Sequence, residues 1–308
     1  MKVGFRLNSL GYGGVEVAVY DYAYFNQRYL NNESIIFYRE EGSKDSIKQK
    51  FIKEFKLIPY TSKNCIADNL KDIDVLYTLK SGERDEYLFP DITNSIHAVF
   101  TIAQPHGNRF ASISRWLSNS SGFGITPYVP HMINLPDHDK NMREELNIPK
   151  DAFVFGRHGS FNEFNVPFVW DSINKILEER KNAYFLFLNT PTMINHERVI
   201  ILDPIWDLDK KVEFINTCDA MLHARKRGET FGIACGEFSI KNKPVITFGL
   251  SPEKAHLDIL GNKALVYNSF GELNRILLNL KKDDKNWDAY SEEYSPVPVM
   301  NKFKRIFL

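Results

Sequence analysis

The sequence predicts an α/β protein made of two doubly wound halves, each built on a mainly parallel sheet. Three observations carry that prediction. Short apolar runs alternate with longer amphipathic stretches along the whole chain. A segment bracketed by Pro130 and Pro136 interrupts the pattern without any period of its own. Beyond it, the alternation restarts in the same order. Length agrees, since 308 residues correspond to about two domains of ~150 residues each.

Taken in order, residues 3–7 read as the first strand, followed by a glycine-rich turn. Residues 15–30 read as a helix, with Val15, Val19, Tyr22, Ala23 and Asn26 on one face. Residues 34–38, 74–79 and 95–102 supply further strands. Residues 110–117 read as a short strand or the start of a helix, and 124–129 as the last strand before the linker. The second half opens with a short helix at 139–146 and a strand at 152–156. A helix at 166–180, strands at 183–188 and 199–202, and a helix at 208–217 follow. Strand 220–223, helix 232–241 and strand 244–248 complete a second β-α-β series. The expected division is an amino-terminal domain at 1–135, a second domain at 136–290, and a closing helix at 291–308 that returns to the first domain. Met300, Phe303, Ile306 and Phe307 give that last helix its apolar spacing. Two such halves on a short hinge imply a cleft, with ligands at the carboxyl ends of the strands.

Composition narrows the functional classes. Apolar residues are 43% and charged residues 25%, the balance of an ordinary globular chain. Lys plus Arg and Asp plus Glu are 39 each, so no basic excess exists to neutralise a nucleic acid. The three cysteines, Cys65, Cys218 and Cys235, form no C-x-x-C pair and read as free thiols of a reducing compartment. No apolar run approaches the ~18 residues that cross a bilayer. Arg6 and Asn8 interrupt any signal-peptide core. The expectation is a cytoplasmic protein without a transmembrane segment or a membrane-docking patch.

The most specific feature is the run from Arg225 to Glu237, RKRGETFGIACGE, which follows a strand and opens a helix. Glu229 lies in the turn and Glu237 about two helical turns beyond Thr230, on the same side. The amides of Phe231 and Gly232 would point out of the helix N-terminus, a place for a diphosphate flanked by carboxylates that grip hydroxyls. An N-capped helix carrying two solvated glutamates would look the same, but strand, turn, glycine and the following Lys243-Pro244-Val245-Ile246 all agree with a site.

Glu229 to Glu237 resembles the E-x7-E signature of retaining GT-B glycosyltransferases, in particular glycosyltransferase family 4. Gly13-Gly14-Val15-Glu16, Val129-Pro130 and Gly156-Arg157 resemble that family's amino-terminal glycine loop, hinge entry and second-domain Gly-Arg. The resemblance implies two Rossmann-like domains facing across a cleft. It implies Glu229 at the donor sugar and Glu237 on the ribose hydroxyls. It places Arg157 at the diphosphate. The family adds a lysine five residues after that arginine, where this chain has Asn162. Arg225, Lys226 and Arg227 are the candidates to compensate.

Gly11-Tyr12-Gly13-Gly14 fails as a dinucleotide fingerprint, because Glu16 stands where the third glycine belongs. Gly13 and Gly14 remain candidates for close approach of phosphate or acceptor, beside the reading as a plain tight turn. His97 and His106 lie at or after strands of the first half, where the resemblance expects a histidine near the reacting sugar; His97 is favoured by its strand-end position. Asp72-Ile73-Asp74, Asp137-His138-Asp139 and Asp207-Leu208-Asp209 each match D-x-D, and three copies mark them as structural. No metal site and no cofactor is expected.

The expected activity is transfer of a sugar from a nucleoside diphosphate sugar to a hydroxyl of a glycan or glycoconjugate, with retention and without metal. An epimerase or phosphorylase on the same fold, and a non-catalytic nucleotide-sugar binder, are the alternatives.

Overall fold

The computed structural model describes residues 1–11, 13–120 and 124–308. The chain forms two compact units, Met1–Met132 with Glu293–Leu308, and Ile133–Glu292.

The first unit contains β1 (Lys2–Leu7), α1 (Gly14–Leu30), β2 (Glu33–Arg39), α2 (Asp45–Ile52), β3 (Lys56–Tyr60), α3 (Lys63–Ala67), β4 (Val75–Lys80), β5 (Thr93–Ala98), β6 (Arg109–Ser112) and α4 (Arg115–Ser120). Its sheet runs β3-β2-β1-β4-β5-β6, all parallel. β1 is buried from Val3 to Leu7, because helices cover both faces of a parallel sheet. Tyr22 of α1, Tyr77 of β4 and Phe303 meet with ring centroids 5.1–5.7 Å apart. Phe303 belongs to the last helix of the chain, which packs on this unit, and Ser95 Oγ donates to Phe307 O at 2.9 Å.

The second unit contains β7 (Phe153–Arg157), α5 (Val169–Glu179), β8 (Ala183–Leu188), β9 (Val199–Leu202), α6 (Leu208–Thr217), β10 (Ala220–His223), β11 (Gly228–Glu229), α7 (Ile233–Ile240), β12 (Val245–Phe248), β13 (Glu253–Lys254), α8 (Ala255–Leu260), β14 (Ala264–Tyr267) and α9 (Phe270–Asn279). Two helices close the chain, α10 (Ser291–Tyr294) and α11 (Pro296–Phe307). The main sheet of this unit is ordered β14-β12-β10-β7-β8-β9, the same topology as the first when counted from its opening strand. β11 and β13 pair separately, Gly228 with Glu253 and Glu229 with Lys254. Gly156 lets β7 approach its neighbours, since a Cβ there would stand 2.2 Å from Cys218 Sγ.

Some expected elements differ. Residues 139–146 form an irregular stretch that ends in turns from 143 to 147 rather than a helix, with Asn147 left-handed at φ 53°. The segment 124–129 contributes a single bridge, Tyr128 to Ser112, instead of a strand. Residues 110–117 divide into the end of β6 and the start of α4. α2, β3, α3, α8, β14 and α9 are not among the expected elements.

Candidate functional site

In each sheet the order reverses between the first and fourth strands, β1/β4 and β7/β10, and such switch points open ligand crevices at the strands' carboxyl ends. β7 ends at Arg157 and β10 at His223, so the second unit's switch point coincides with the motif region.

His223 turns its two ring nitrogens to different partners. Nδ1 lies 2.8 Å from Thr247 Oγ1 on the paired strand, and Nε2 lies 3.2 Å from Glu229 Oε1. Arg225 Nη1 donates to Glu229 Oε2 at 2.8 Å, and its Nε donates to Glu163 Oε2 at 2.9 Å. Thr247 Oγ1 also meets His256 Nε2 at 2.9 Å. Burial works to raise the Glu229 carboxyl, but His223 and Arg225 override it and hold the group below the ordinary carboxylate range. Burial, with His223 behind it, pushes His256 down to about 3, so that imidazole is neutral. The result is an ionised carboxylate whose side chain is 22% exposed, backed by two histidines and an arginine.

Glu237 lies in a second cluster. Lys211 Nζ donates to Oε1 at 2.8 Å, and His158 Nε2 lies 2.9 Å from Oε2. The latter contact is close but poorly aligned for a hydrogen bond, so Oε2 is buried without a well-aligned donor among the described residues. Burial opposes ionisation, yet Lys211 and His158 bring the carboxyl down to about 2. His158 directly follows Arg157 and stacks on Phe238 at 5.7 Å. The end of β7 thereby reaches the Glu237 cluster through His158.

Gly232 is the N-cap of α7, with φ +89°. A Cβ there would stand 2.9 Å from His256 Cβ, so both backbone geometry and space demand glycine. The helix proper begins at Ile233, one residue later than expected, so its unpaired first-turn amides start beyond Gly232. Phe231 turns its ring into the core, 5.8 Å from Tyr290, and its carbonyl accepts the Tyr290 hydroxyl.

The structure redistributes several expected roles. Arg157 is only 4% exposed, and its guanidinium donates to the Leu188 and Asn189 carbonyls, the Thr190 hydroxyl and the Ser160 carbonyl. Burial lowers it to about 10, and it stays charged behind Glu229 and Glu163 while its donors hold the loop after β7. Among the three basic residues of the turn, Arg225 enters the Glu229 cluster. Arg227 pairs with Glu253 at 2.8 Å, and Lys226 is exposed. His97 is fully buried, with Nδ1 2.7 Å from the Tyr77 hydroxyl and Nε2 2.8 Å from Val129 O. It is a core residue of the first unit, because its ring is sealed among Tyr22, Tyr77 and Phe307. His106 instead sits beside Lys80, Nε2 to Nζ at 3.4 Å, beyond the end of β5.

Gly13 caps α1, and Tyr12 of the same loop lies outside the described residues. Glu16, at the third helical position, bends its carboxylate back to the Gly11 and Gly13 backbone; a Cβ on Gly13 would stand 2.6 Å from Oε2. Gly13 is thus a helix cap whose amide meets the chain's own carboxylate, and Gly14 opens the helix. The D-x-D aspartates do structural work: Asp207 caps α6 and Asp74 accepts the Lys2 amide. Among the described residues no three His, Cys, Asp or Glu side chains are placed to hold a metal ion.

Sequence reasoning missed His158, Lys211, Glu163, His223 and His256. Only His223, at the end of a clear strand beside the motif, left a trace that patterning can use.

No protein-family model and no curated protein matches this chain. Solved structures do. Anabaena HepE in complex with UDP-glucose is 13% identical, covering 99% of this chain and 98% of that one, with a TM-score of 0.77. A glycosyltransferase from Rickettsia africae is 13% identical over 98% and 94%, at 0.67. WaaG, a glycosyltransferase involved in lipopolysaccharide biosynthesis, is 14% identical over 99% and 95%, at 0.64. At such identities the likeness establishes the fold: this chain has the GT-B architecture of two Rossmann-like units.

Proposed function

We propose that the protein is a retaining glycosyltransferase that moves a sugar from a nucleoside diphosphate sugar to an acceptor hydroxyl of a glycan or glycoconjugate. The observation that carries this reading is Glu237. A buried, ionised carboxylate with one oxygen lacking a well-aligned donor suits a ribose hydroxyl, which would supply that hydrogen bond. Glu229, kept anionic by His223 and Arg225, faces the sugar, where an oxocarbenium-like transition state develops positive charge. The first-turn amides of α7 and the guanidinium of Arg225 receive the diphosphate, with Arg157 adding charge from behind. Helix amides and arginines carry the phosphate charge in this scheme, so it runs without a divalent metal. UDP-glucose, the ligand in the HepE complex, is the first donor to try.

Among the described residues no helix is long and apolar enough to cross a membrane, and the three cysteines are free. This reading puts the enzyme in the cytoplasm.

The test is a thermal-shift screen of nucleotide sugars, followed by product analysis of the donors that bind. A transferase releases nucleoside diphosphate only with acceptor, in EDTA as in buffer, and NMR of the product reports the donor's anomeric configuration. Epimerised nucleotide sugar without release, phosphate-dependent sugar phosphate formation, or binding without turnover would each replace this reading with one of its alternatives.

A further inference from the structure

We propose that the first unit holds an oxyanion between Arg6 and Lys80, a phosphate or carboxylate group carried by the acceptor. The word acceptor rests on the glycosyl-transfer reading; the anion site stands on the first unit's own residues.

Arg6 on β1 pairs with Thr78 on β4, and Lys80 follows two residues later, so both side chains leave the same face of the sheet. They do so at the β1/β4 switch point. Both are withdrawn from water, Arg6 being 3% exposed and the Lys80 side chain 9%. One carboxylate serves the two cations. Asp85 Oδ2 lies 2.8 Å from Lys80 Nζ and 3.7 Å from Arg6 Nη1, and the Asp85 side chain is 35% exposed. Two buried positive charges thus face a single, partly solvated negative one, an imbalance that burial makes costly.

The hydrogen-bond inventory shows the same deficit. A guanidinium has five N–H donors. Among the described residues, that of Arg6 donates from Nη2 to Asn8 Oδ1 at 3.3 Å and lies beside the Tyr60 hydroxyl, and its buried Nε has no partner. The group is nonetheless held in place, with the Tyr87 ring 3.7 Å from its carbon and the Tyr60 ring 5.7 Å away. His106 Nδ1 lies 2.6 Å from Gln104 O, which makes Nδ1 the donor and leaves Nε2 to accept from Lys80.

The loops around the cluster are drawn together. Gly82 has φ +110°, and a Cβ on it would stand 1.8 Å from Thr101 O. The amides of Phe100 and Thr101 both donate to Ser81 O. Asn8 and Asp85 mark the edge that remains open to solvent. An anion entering there meets the Arg6 fork and the Lys80 ammonium, both suited to charge-assisted bonds.

The experiment is isothermal titration of the full chain with inorganic phosphate, glucose 6-phosphate and glucuronate. It is run on the wild type, Lys80→Met, Asp85→Asn and Arg225→Met, with thermal melts to check folding. At least one probe should bind the wild type, and the tightest one tells phosphate from carboxylate. Lys80→Met should weaken it roughly 10-fold or more, the loss of one charge-assisted bond. Asp85→Asn, which removes the competing carboxylate, should tighten it, and this variant decides the matter if Lys80→Met does not fold. Binding should persist in Arg225→Met. No binding of any probe, binding indifferent to both first-unit changes, or binding lost in Arg225→Met and kept in Lys80→Met would overturn the proposal. Failure of the glycosyl-transfer reading shows elsewhere, as absence of nucleotide-sugar turnover, which these titrations do not use.

Discussion

Lys211 Nζ stands 2.8 Å from Glu237 Oε1, a bond from the first turn of α6 to the second turn of α7. It pins one carboxylate oxygen and keeps the group ionised at any physiological pH. The other oxygen, beside His158, is left to accept. A helix-borne glutamate is thereby turned from a solvated surface group into an oriented, buried acceptor.

Two carboxylates in different clusters should fail differently when removed. Glu237→Ala is expected to weaken nucleoside diphosphate binding roughly 10-fold or more, the loss of charge-assisted hydrogen bonds. Glu229→Ala is expected to lower kcat about 10²-fold while leaving diphosphate affinity nearly unchanged. Calorimetry beside steady-state kinetics separates them, and equal diphosphate affinities in both variants would remove the distinction.

Arg225 helps hold the Glu229 carboxyl low, so removing it should let that pKa rise. A carboxylate that must be ionised then loses its active form at a higher pH. Arg225→Met should move the acid limb of the kcat profile upward, and Arg225→Lys should restore it in part. An unmoved acid limb would detach Arg225 from Glu229.

Gly232→Ala combines a left-handed backbone with a Cβ pressed on His256. The expected cost is ~1–3 kcal/mol by denaturant titration. Nucleotide affinity should fall as well, because the α7 N-terminus shifts. A stability equal to wild type would contradict the geometry of this turn.

His131 is buried in the first unit, and burial pushes it down to about 3. Between that value and the ~6.5 of an exposed histidine, the unfolded chain binds a proton that the folded chain refuses. Stability contributed by this group is therefore present above pH ~6.5 and declines as pH falls toward 3. His131→Gln should reduce the slope of unfolding free energy against pH, between pH 6 and 4, by about one proton. His97, depressed by burial and by His131, adds to the wild-type slope in the same direction.

The alternation of apolar runs already specified two parallel-sheet units, because a strand covered on both faces reads as a mainly apolar run, and β1, β7 and β10 do so up to the polar residue near each carboxyl end, Arg6, Arg157 and His223. The motif at 229–237 was legible for a related reason. Strand, turn, glycine and helix are consecutive in the chain, so local rules reach all of them. The cut-off between strand and helix at 110–117 was not, since a four-residue strand leaves too few periods to count.

The sequence by itself determined the α/β class, the doubly wound pattern of each half, and the position of Glu229 and Glu237 around a helix start. Only the tertiary structure decided what those carboxylates face. His158 and Lys211 lie 79 and 26 residues from their partner Glu237, and Glu163 lies 62 residues from its partner Arg225.

 Separations of that size are closed by the folding of the sheet, and no local period records them. The same holds for His97 and His106. One lies in a strand-like run and the other after it, yet the first is sealed among aromatic rings and the second is set beside Lys80. Burial depends on which distant helices cover a strand end, a property of packing that propensity and spacing do not contain.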